Sequence, residues 1–427
     1  MKLKYNLEDT PGWKENLLFG LQWLAVSLPG LIIIGKLLGS MNGSLIIEVI
    51  YLQKVFVLTG AAMLIQIFWG HRLPLVIGPA TVLLIGILAS QGSSPAASYT
   101  SIAICGIILS LLAVTGLFAY LQSLFTPRVV AVILLLVAFT ITPTIVQLIS
   151  NNEGASSACH LAFAFILTIL IFIGQRCLTG LLKSLLILLA AIVGSLAYFL
   201  VNPGWASGTN AAQLGLITSF TQNFSPELVI NPGVLIAFIF CFIGLLINDL
   251  GSIQAVGSVL QADNMPQRIT RGITATGIAN TVAGFFGVIG PVNFSFSPGI
   301  IASTGCAARR SLIPTAIFLI LLAFMPRVIF YLSHIPSVVV GTLLLYIMCT
   351  QVAAGLTAAL SALSDLGEPN FDNTLVISLP ILASIIVAFL PESVTASFPI
   401  TLQPVLGNGF VVGIVLALLL EHVIFRK

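Results

Sequence analysis

Charged side chains are scarce in this sequence. Its 427 residues include 16 Lys and Arg and 13 Asp and Glu, so only 7% are charged, against about 25% in soluble proteins. Hydrophobic residues make up 58%, and the mean hydropathy is +1.13. A soluble fold cannot cover its surface with so little charge, which excludes a soluble enzyme. The net charge of +3 is too small to indicate a nucleic-acid partner.

Cysteine and histidine are also few and dispersed. The six cysteines form no CxxC pair, and Cys159-His160 has no second pair of ligands nearby among the four histidines. We therefore interpret the cysteines as small packing residues, and we predict neither a metal nor a cofactor. The sequence also lacks a recognisable nucleophile–base pair, so an enzyme within the membrane is the least favoured function.

Long apolar runs dominate the rest of the chain. Val129–Ile149 and Ser337–Leu356, for example, exceed the ~18 residues that indicate a membrane-spanning helix. At about 20 residues per span the chain has room for about fourteen spans, which predicts an all-α polytopic membrane protein. We place the spans near residues 17–38, 45–70, 73–90, 98–123, 129–149, 159–175, 184–202, 231–253, 272–287, 294–306, 311–331, 336–358, 373–391 and 404–424.

The distribution of basic residues predicts the orientation. With the N-terminus inside, most Lys and Arg outside the spans fall on the cytoplasmic side, as the positive-inside rule requires. We therefore predict a multi-pass protein of the inner (plasma) membrane with both termini in the cytoplasm. The basic residues of the predicted cytoplasmic loops and C-terminus are Arg72, Arg128, Arg176, Lys183, Arg268, Arg271, Arg309, Arg310, Arg426 and Lys427.

Two sequence blocks recur half a chain apart. Val76–Pro79 (VIGP) recurs as Val288–Pro291, and Gly86–Gly92 has its counterpart in Gly299–Gly305. Both copies fall on the short spans 3 and 10, which glycine and proline interrupt. Because each half then has an odd number of spans, about seven, the halves insert with opposite topology. The pattern predicts a 7+7 inverted repeat with two broken half-helices, an arrangement typical of secondary transporters that places the binding site at the breaks.

The two breaks predict a site built from helix N-termini. Ser297-Pro298 is a typical helix start, with serine as N-cap and proline in the first turn. If span 3 begins similarly near Pro79–Thr81, two positive helix ends converge on one cavity, which suits a solute with carbonyl oxygens or negative charge. Further polar and aromatic contacts would come from Asn293, Phe294, Ser295 and Phe296.

Span 8 carries an acid inside an apolar helix. Intramembrane acids are costly and indicate function, so Asp249 is our candidate for a proton-coupling residue. The alternative is that Asp249 lies at the cytoplasmic edge of the membrane or pairs locally. Asn248 lies about 100° away from it around the helix. It shares a small, polar face that could line the cavity with Gly244, Gly251, Ser252 and Ala255.

The whole chain resembles the nucleobase–ascorbate transporters, the uracil and xanthine permeases of the second nucleobase–cation symporter group. Gln22-Trp23 is similar to the Gln-His of the family, and residues 284–299 align without a gap to the stretch that leads into its signature motif. Gly299 and Thr304-Gly305 match that motif. The other matching segments are Asn248–Gly251, Ile335-Pro336 and Gly341–Tyr346.

The resemblance implies a fold of two domains that move against each other, often within a homodimer. The core domain would comprise residues 17–127 and 228–333, and the gate domain residues 128–203 and 334–427. Residues 1–16 would form a cytoplasmic N-terminus and residues 204–227 a linker between the repeats. The substrate would be bound by Thr81, Val82, Asn248, Ser252, Phe294, Phe296 and Ser297.

Three of these residues depart from the family pattern. The binding glutamate of span 8 is Asn248 here, and the Gln/Glu and Asn of the signature motif are Phe296 and Ser297. A site built for paired hydrogen bonds changes its selectivity steeply when such groups are replaced. The resemblance therefore implies the fold of the family, whereas the substrate and the proton coupling of the family do not follow from it in the same way.

The sequence favours a secondary active transporter of a nucleobase, uracil- or xanthine-like, or of a similar small planar solute. Its predicted partners are that solute, a coupling proton or other cation, and the lipid bilayer. One alternative is a transporter of a small organic or inorganic anion on the same fold, since two helix N-termini hold an anion without acidic partners. Another is a channel- or receptor-like membrane protein without transport activity.

Overall fold

Helices make up nearly all of the regular structure in the computed structural model of the chain. It describes residues 3–41, 45–117, 124–150, 157–202, 215–218, 227–295, 297–364, 371–395, 397–399 and 401–425. In the first half these form α1 (Trp13–Ser40), α2 (Leu45–Phe68), β1 (Ile77–Pro79), α3 (Thr81–Ala89), α4 (Pro95–Thr115), α5 (Pro127–Thr140), α6 (Thr142–Ser150), α7 (Ser157–Cys177), α8 (Gly180–Ser184) and α9 (Leu186–Val201).

The second half repeats the motif of a short strand followed by a short helix. Its elements are α10 (Pro232–Leu260), α11 (Met265–Phe285), β2 (Pro291–Asn293), α12 (Ser297–Thr304), a 3₁₀ turn (Arg309–Leu312), α13 (Ile313–Ala323), α14 (Pro326–Ser333), α15 (Ser337–Ser364), α16 (Phe371–Ala388), α17 (Glu392–Thr395), α18 (Gln403–Leu406) and α19 (Gly409–Leu419), which ends in a π turn (Leu420–Ile424).

Eight helical segments of the described chain are long and apolar enough to cross a membrane, and this confirms the prediction of a polytopic helical membrane protein. The outward face of α7 is typical of a lipid-facing helix, because it exposes large hydrophobic side chains along its whole length. These are Leu161, Phe165, Ile166, Ile169, Leu170 and Ile173.

One predicted span is bent rather than continuous. Residues 311–331 were expected to form a single helix, but Arg309–Ala323 and Pro326–Ser333 meet at 101°. The physical cause lies at Pro326, which has no backbone N–H to donate and whose ring obstructs a helix that continues from the preceding turn. Proline is tolerated in the first turn of a new helix, and Pro326 begins α14 in this way.

The two short strands pair with each other across the two halves of the chain. β1 and β2 are antiparallel, with Ile77 opposite Asn293 and Pro79 opposite Pro291. The pairing continues at both ends, where Phe294 N donates to Val76 O at 2.8 Å and Ala80 N donates to Gly290 O at 3.0 Å. In a membrane, non-helical backbone must find hydrogen-bond partners within the protein, and this two-stranded ribbon provides them.

Helices α4 and α11 pack at van der Waals distance because glycine lies at their interface. A Cβ on Gly106 would stand 2.6 Å from Thr281 N, and one on Gly277 would stand 2.8 Å from Ser110 N. Small residues at such contacts are the usual device of helix packing in membranes, since they let backbones approach closely. This pair forms one wall beside the ribbon, and α10 contacts both of its helices.

A second group of helices packs separately from this wall. In this group α5 contacts α15, α16 and α19, and α16 contacts both α15 and α19. An ion pair joins the start of α5 to the end of α19, where the partly buried Arg128 Nη2 lies 3.0 Å from Oε1 of the buried Glu421. Arg128 also donates to Asn373 Oδ1 of α16 at 3.0 Å, so one guanidinium ties three helices together.

The N-terminal segment, residues 3–9, is held by the loop that follows α12. Lys4 N donates to Gly305 O at 2.7 Å, and Ala307 N donates to Tyr5 O at 2.9 Å. An ion pair of 2.6 Å between Glu8 and Arg309 fastens the far end of this segment. The first residues of the chain therefore cover the end of the second half-helix.

Candidate functional site

Two short helices begin at opposite ends of the β1–β2 ribbon. Helix α3 starts at Thr81, two residues after Pro79, which pairs with Pro291 at one end of the ribbon. Helix α12 starts at Ser297, beyond the other end of the ribbon. The cap residue of α3 is Ala80, whose side chain cannot accept a hydrogen bond. The N–H groups at Thr81 and Val82 thus keep the partial positive charge of a helix N-terminus, about +0.5.

Ser297 joins the second helix to the first strand. Its hydroxyl accepts a hydrogen bond from Val76 N at 3.1 Å and donates one to Phe294 O at 2.9 Å. The side chain is fully buried. Ser297 was predicted to bind substrate. In this structure its hydroxyl is hydrogen-bonded to the backbone around β1 and β2, so Ser297 fixes the start of α12 next to β1.

Helix α10 holds the carbonyl end of β2. Ser252 Oγ donates to Asn293 O at 3.1 Å as well as to Asn248 O at 2.7 Å, and Asn248 Nδ2 lies 3.4 Å from the same Asn293 oxygen. Ser252 is fully buried, whereas Asn248 is half-buried. The polar face predicted for α10 therefore contacts the ribbon at one carbonyl group, that of Asn293. Of the two side chains that make this contact, Asn248 is the one that is partly exposed.

Asp249 binds the amide side chain and the backbone N–H of Asn293, the same residue of β2. Its Oδ1 accepts hydrogen bonds from Asn293 Nδ2 at 2.6 Å and from Asn293 N at 3.2 Å. Its Oδ2 accepts none from the described residues, although the whole side chain is buried. The carboxyl is thus packed inside the protein against the ribbon, and its partner lies 44 residues further along the chain.

His71 completes this cluster and was not among the residues that the sequence indicated. Its Nδ1 accepts the backbone N–H of Leu73 at 2.9 Å, and its Nε2 lies 3.1 Å from Asn293 Oδ1. Burial lowers the pKa of His71 to about 3, so the ring is neutral. Four histidines scattered over 427 residues gave no spacing that could have linked this one to Asn293.

Phe294 supplies an aromatic surface beside the ribbon. A Cβ on Gly78 would stand 2.3 Å from its Cζ, and a Cβ on Gly30 would stand 3.4 Å from its Cε2, so the ring packs on β1 and faces α1. Val82 is buried against α10 at Gly244. Phe296, the other predicted aromatic contact, lies outside the described residues.

The structure thus gathers most of the predicted site residues around the ribbon. Asn248, Asp249 and Ser252 all contact Asn293, and Phe294 and Ser297 follow it in the chain. No group of three or more His, Cys, Asp or Glu residues that could hold a metal occurs in the described part of the chain. What the arrangement offers is one buried carboxyl, several neutral hydrogen-bonding groups, two helix N-termini and one aromatic ring.

Comparison with known proteins identifies the family of the chain. A family model for xanthine and uracil permeases, described as the Permease family, matches residues 14–419. The chain is 24% identical to the xanthine permease of Bacillus subtilis (strain 168), over 97% of this chain and 95% of that protein. It is also 24% identical to the uric acid permease PucK of the same organism, over 96% of this chain and 95% of that protein.

Solved structures with a similar fold include those of a bicarbonate transporter and of an anion transporter. The transmembrane domain of the cyanobacterial bicarbonate transporter BicA superimposes with a TM-score of 0.60 at 14% identity, covering 87% of this chain and 95% of that domain. SLC26A9 superimposes with a TM-score of 0.59 at 13% identity, covering 95% of this chain and 64% of that one. These likenesses concern the fold. The family match spans nearly the whole chain, and the chain is therefore a member of the xanthine and uracil permease family, a membrane permease and not an enzyme.

Proposed function

We propose that this protein is a secondary active transporter of a nucleobase, with xanthine and uric acid as the first candidates and uracil as the next. The observation that carries the proposal is the ribbon flanked by two helix N-termini, with Phe294 and the half-open Asn248 beside it. Permeases for xanthine and for uric acid are among the relatives of similar length.

The groups around the ribbon complement an oxidised purine. Its carbonyl oxygens accept hydrogen bonds from N–H groups such as those at the start of α3. Asn248 Oδ1 accepts no hydrogen bond from the described residues and is available for a ring N–H. The flat ring would stack on Phe294, at a centroid separation of about 4.5–7 Å.

Asp249 is the proposed proton-coupling residue. It is an acid buried in a membrane helix, and no cation among the described residues is hydrogen-bonded to it. Protonation removes the cost of burying its charge. Because Asp249 grips Asn293, its protonation acts on the strand that leads into the substrate site. The proton and the substrate would therefore use neighbouring but separate groups.

The proposed architecture is a 7+7 inverted repeat of fourteen spans, with the core domain (17–127 and 228–333) moving as an elevator against the gate domain (128–203 and 334–427). It is supported by the recurring strand-and-helix units and by the packing of α5, α15, α16 and α19 into one group. We further propose a homodimer in the inner membrane, as the family resemblance implies. Both termini would lie in the cytoplasm, as the distribution of basic residues favours.

The test is uptake of labelled xanthine, uric acid and uracil by proteoliposomes, with and without an inward proton gradient. Saturable uptake of one base that the gradient stimulates supports the proposal. Asp249→Asn is expected to abolish accumulation driven by the gradient while it leaves exchange of internal for external substrate intact. Asp263→Asn, an exposed aspartate just beyond α10, is the matched control and should behave as wild type.

A small anion is the second candidate substrate. The fold is shared with a bicarbonate transporter, and neither helix N-terminus carries an acidic residue in its first turn. Uptake of labelled bicarbonate or oxalate that xanthine, uric acid and uracil do not inhibit would favour this candidate. Competition by the nucleobases would exclude it.

A further inference from the structure

A chain of direct hydrogen bonds runs from the loop before β1 to the acid of α10. Leu73 N–H can only donate, so His71 Nδ1 is the acceptor and the proton of the neutral ring sits on Nε2. His71 Nε2–H therefore donates to Asn293 Oδ1, and the opposite side of that amide, Nδ2, donates to Asp249 Oδ1. The tautomer of the ring and the orientation of the amide are fixed by this sequence of donors.

The loop that carries His71 is anchored independently of Asp249. His71 N donates to Gln66 Oε1 at 3.2 Å, and Arg268 Nη1 donates to the carbonyls of His71 and Arg72, both at 3.0 Å. Position 71 is thus a fixed point against which Asn293 is held.

Among the described residues, the groups that face Asp249 are neutral. They are the amide and backbone N–H of Asn293 on β2 and the hydroxyl of Thr276 on α11. Arg268 lies at the His71 end of this hydrogen-bond series, where it donates to the carbonyls of His71 and Arg72 and not to the carboxyl of Asp249. A change of charge at Asp249 therefore changes most directly the strength of its hydrogen bonds with Asn293.

We infer that His71 and Asn293 are positioning residues that link the protonation of Asp249 to strand β2 and to the aromatic contact of the substrate site. When Asp249 is charged, it holds two N–H groups of Asn293 through charge-assisted bonds, which are about twice as strong as neutral ones. Protonation weakens this hold, and the next residue is Phe294, whose ring lies on Gly78. This inference rests on the proposed proton coupling at Asp249.

His71→Leu removes the donor and leaves Asn293 Oδ1 unpaired, so the amide no longer has a fixed orientation toward Asp249. The charged carboxyl then loses part of its stabilisation and takes up a proton more readily. We expect the midpoint of the pH profile of uptake to move upward by roughly 0.5–1 pH unit. A midpoint unchanged in correctly folded His71→Leu would overturn the inference.

His71→Gln is the conservative variant. Glutamine places its Nε2 donor the same number of bonds from the backbone as the histidine, so it is expected to restore the wild-type midpoint, whereas the shorter His71→Asn should not. These two variants decide the matter if His71→Leu does not fold. The matched control is His160→Leu, which removes another buried histidine, bonded to Tyr198, and should leave the midpoint unchanged.

A double-mutant cycle tests the link without any substrate. The unfolding temperatures of His71→Leu, Asp249→Asn and the double variant, measured in detergent, are expected to be non-additive, because both changes act on Asn293. Additive effects would contradict the link. If the wild type shows no proton-driven uptake while the cycle is non-additive, the proposed coupling fails and the positioning role of His71 stands.

Discussion

The contact between Gly78 and Phe294 leads to a quantitative prediction for the substrate site. Replacing Gly78 by alanine would place a Cβ 2.3 Å from Cζ of the Phe294 ring, and ordinary contact begins at 3.4 Å. Because β1 is paired along its length, the ring and not the strand is expected to move, by about 1.1 Å. Overpacking of this kind costs about 1–3 kcal/mol.

The displaced ring should weaken substrate binding more than it weakens the fold. If the cost falls on the bound state, the KM of uptake rises by roughly 5- to 150-fold, since 1.4 kcal/mol corresponds to tenfold. The measurement is the KM for the transported base in proteoliposomes, together with the unfolding temperature of the purified variant. Phe294→Leu in the Gly78→Ala background makes room for the methyl group and should recover part of the stability.

Gly92→Ala provides the matched control. Gly92 lies just beyond α3, at the other end of the same segment, and a Cβ there would meet its nearest neighbour, Gln403, at an ordinary 3.7 Å. Its KM should equal that of the wild type. A wild-type KM in Gly78→Ala as well would show that the position of the Phe294 ring does not matter for recognition, and would refute the reasoning.

Three further predictions concern the framework. Gly277→Val forces α11 away from α4 and should lower the free energy of unfolding by at least about 3 kcal/mol. Fluorescence-detected size-exclusion chromatography should then show a large loss of folded protein, and a normal yield would contradict this packing. Arg128→Ala leaves Glu421 buried without its cation and should lower the free energy of unfolding by about 3–5 kcal/mol. The double variant Arg128→Ala, Glu421→Gln removes both charges and should lose less. Glu8→Arg alone should lower the free energy of unfolding by about 1 kcal/mol or less, and the charge-swapped variant Glu8→Arg, Arg309→Glu should recover most of that loss. Equal unfolding temperatures of the single and the swapped variant would argue against this ion pair.

The breaks in spans 3 and 10 could be predicted because their cause is local. Glycine and proline interrupt the apolar runs at both places, and the structure has a short strand and a short helix in each. The common face of Asn248 and Ser252 could also be predicted, because four residues make about one helical turn. The bend at Pro326 was missed, although proline is its cause, since the surrounding residues are uniformly apolar.

The partners of the site residues could not be predicted in the same way. Asp249 was singled out because an acid in a membrane span is costly, but nothing local indicates that Asn293 receives its hydrogen bonds or that His71 stands behind Asn293. These contacts join three separate regions of the chain, and their register depends on how β1 and β2 meet. Helical periodicity describes one element at a time and carries no information about such a meeting.

The pairing of β1 with β2 has a consequence for the order in which the protein is made. Its two strands lie more than 200 residues apart, so Ile77–Pro79 enter the membrane long before their partner is synthesised. Until then their backbone groups have no strand to bond to, and the bilayer interior offers no water in its place. The first half of the chain should therefore remain an unfinished insertion intermediate, dependent on the translocon or a chaperone, until residue 293 has emerged from the ribosome.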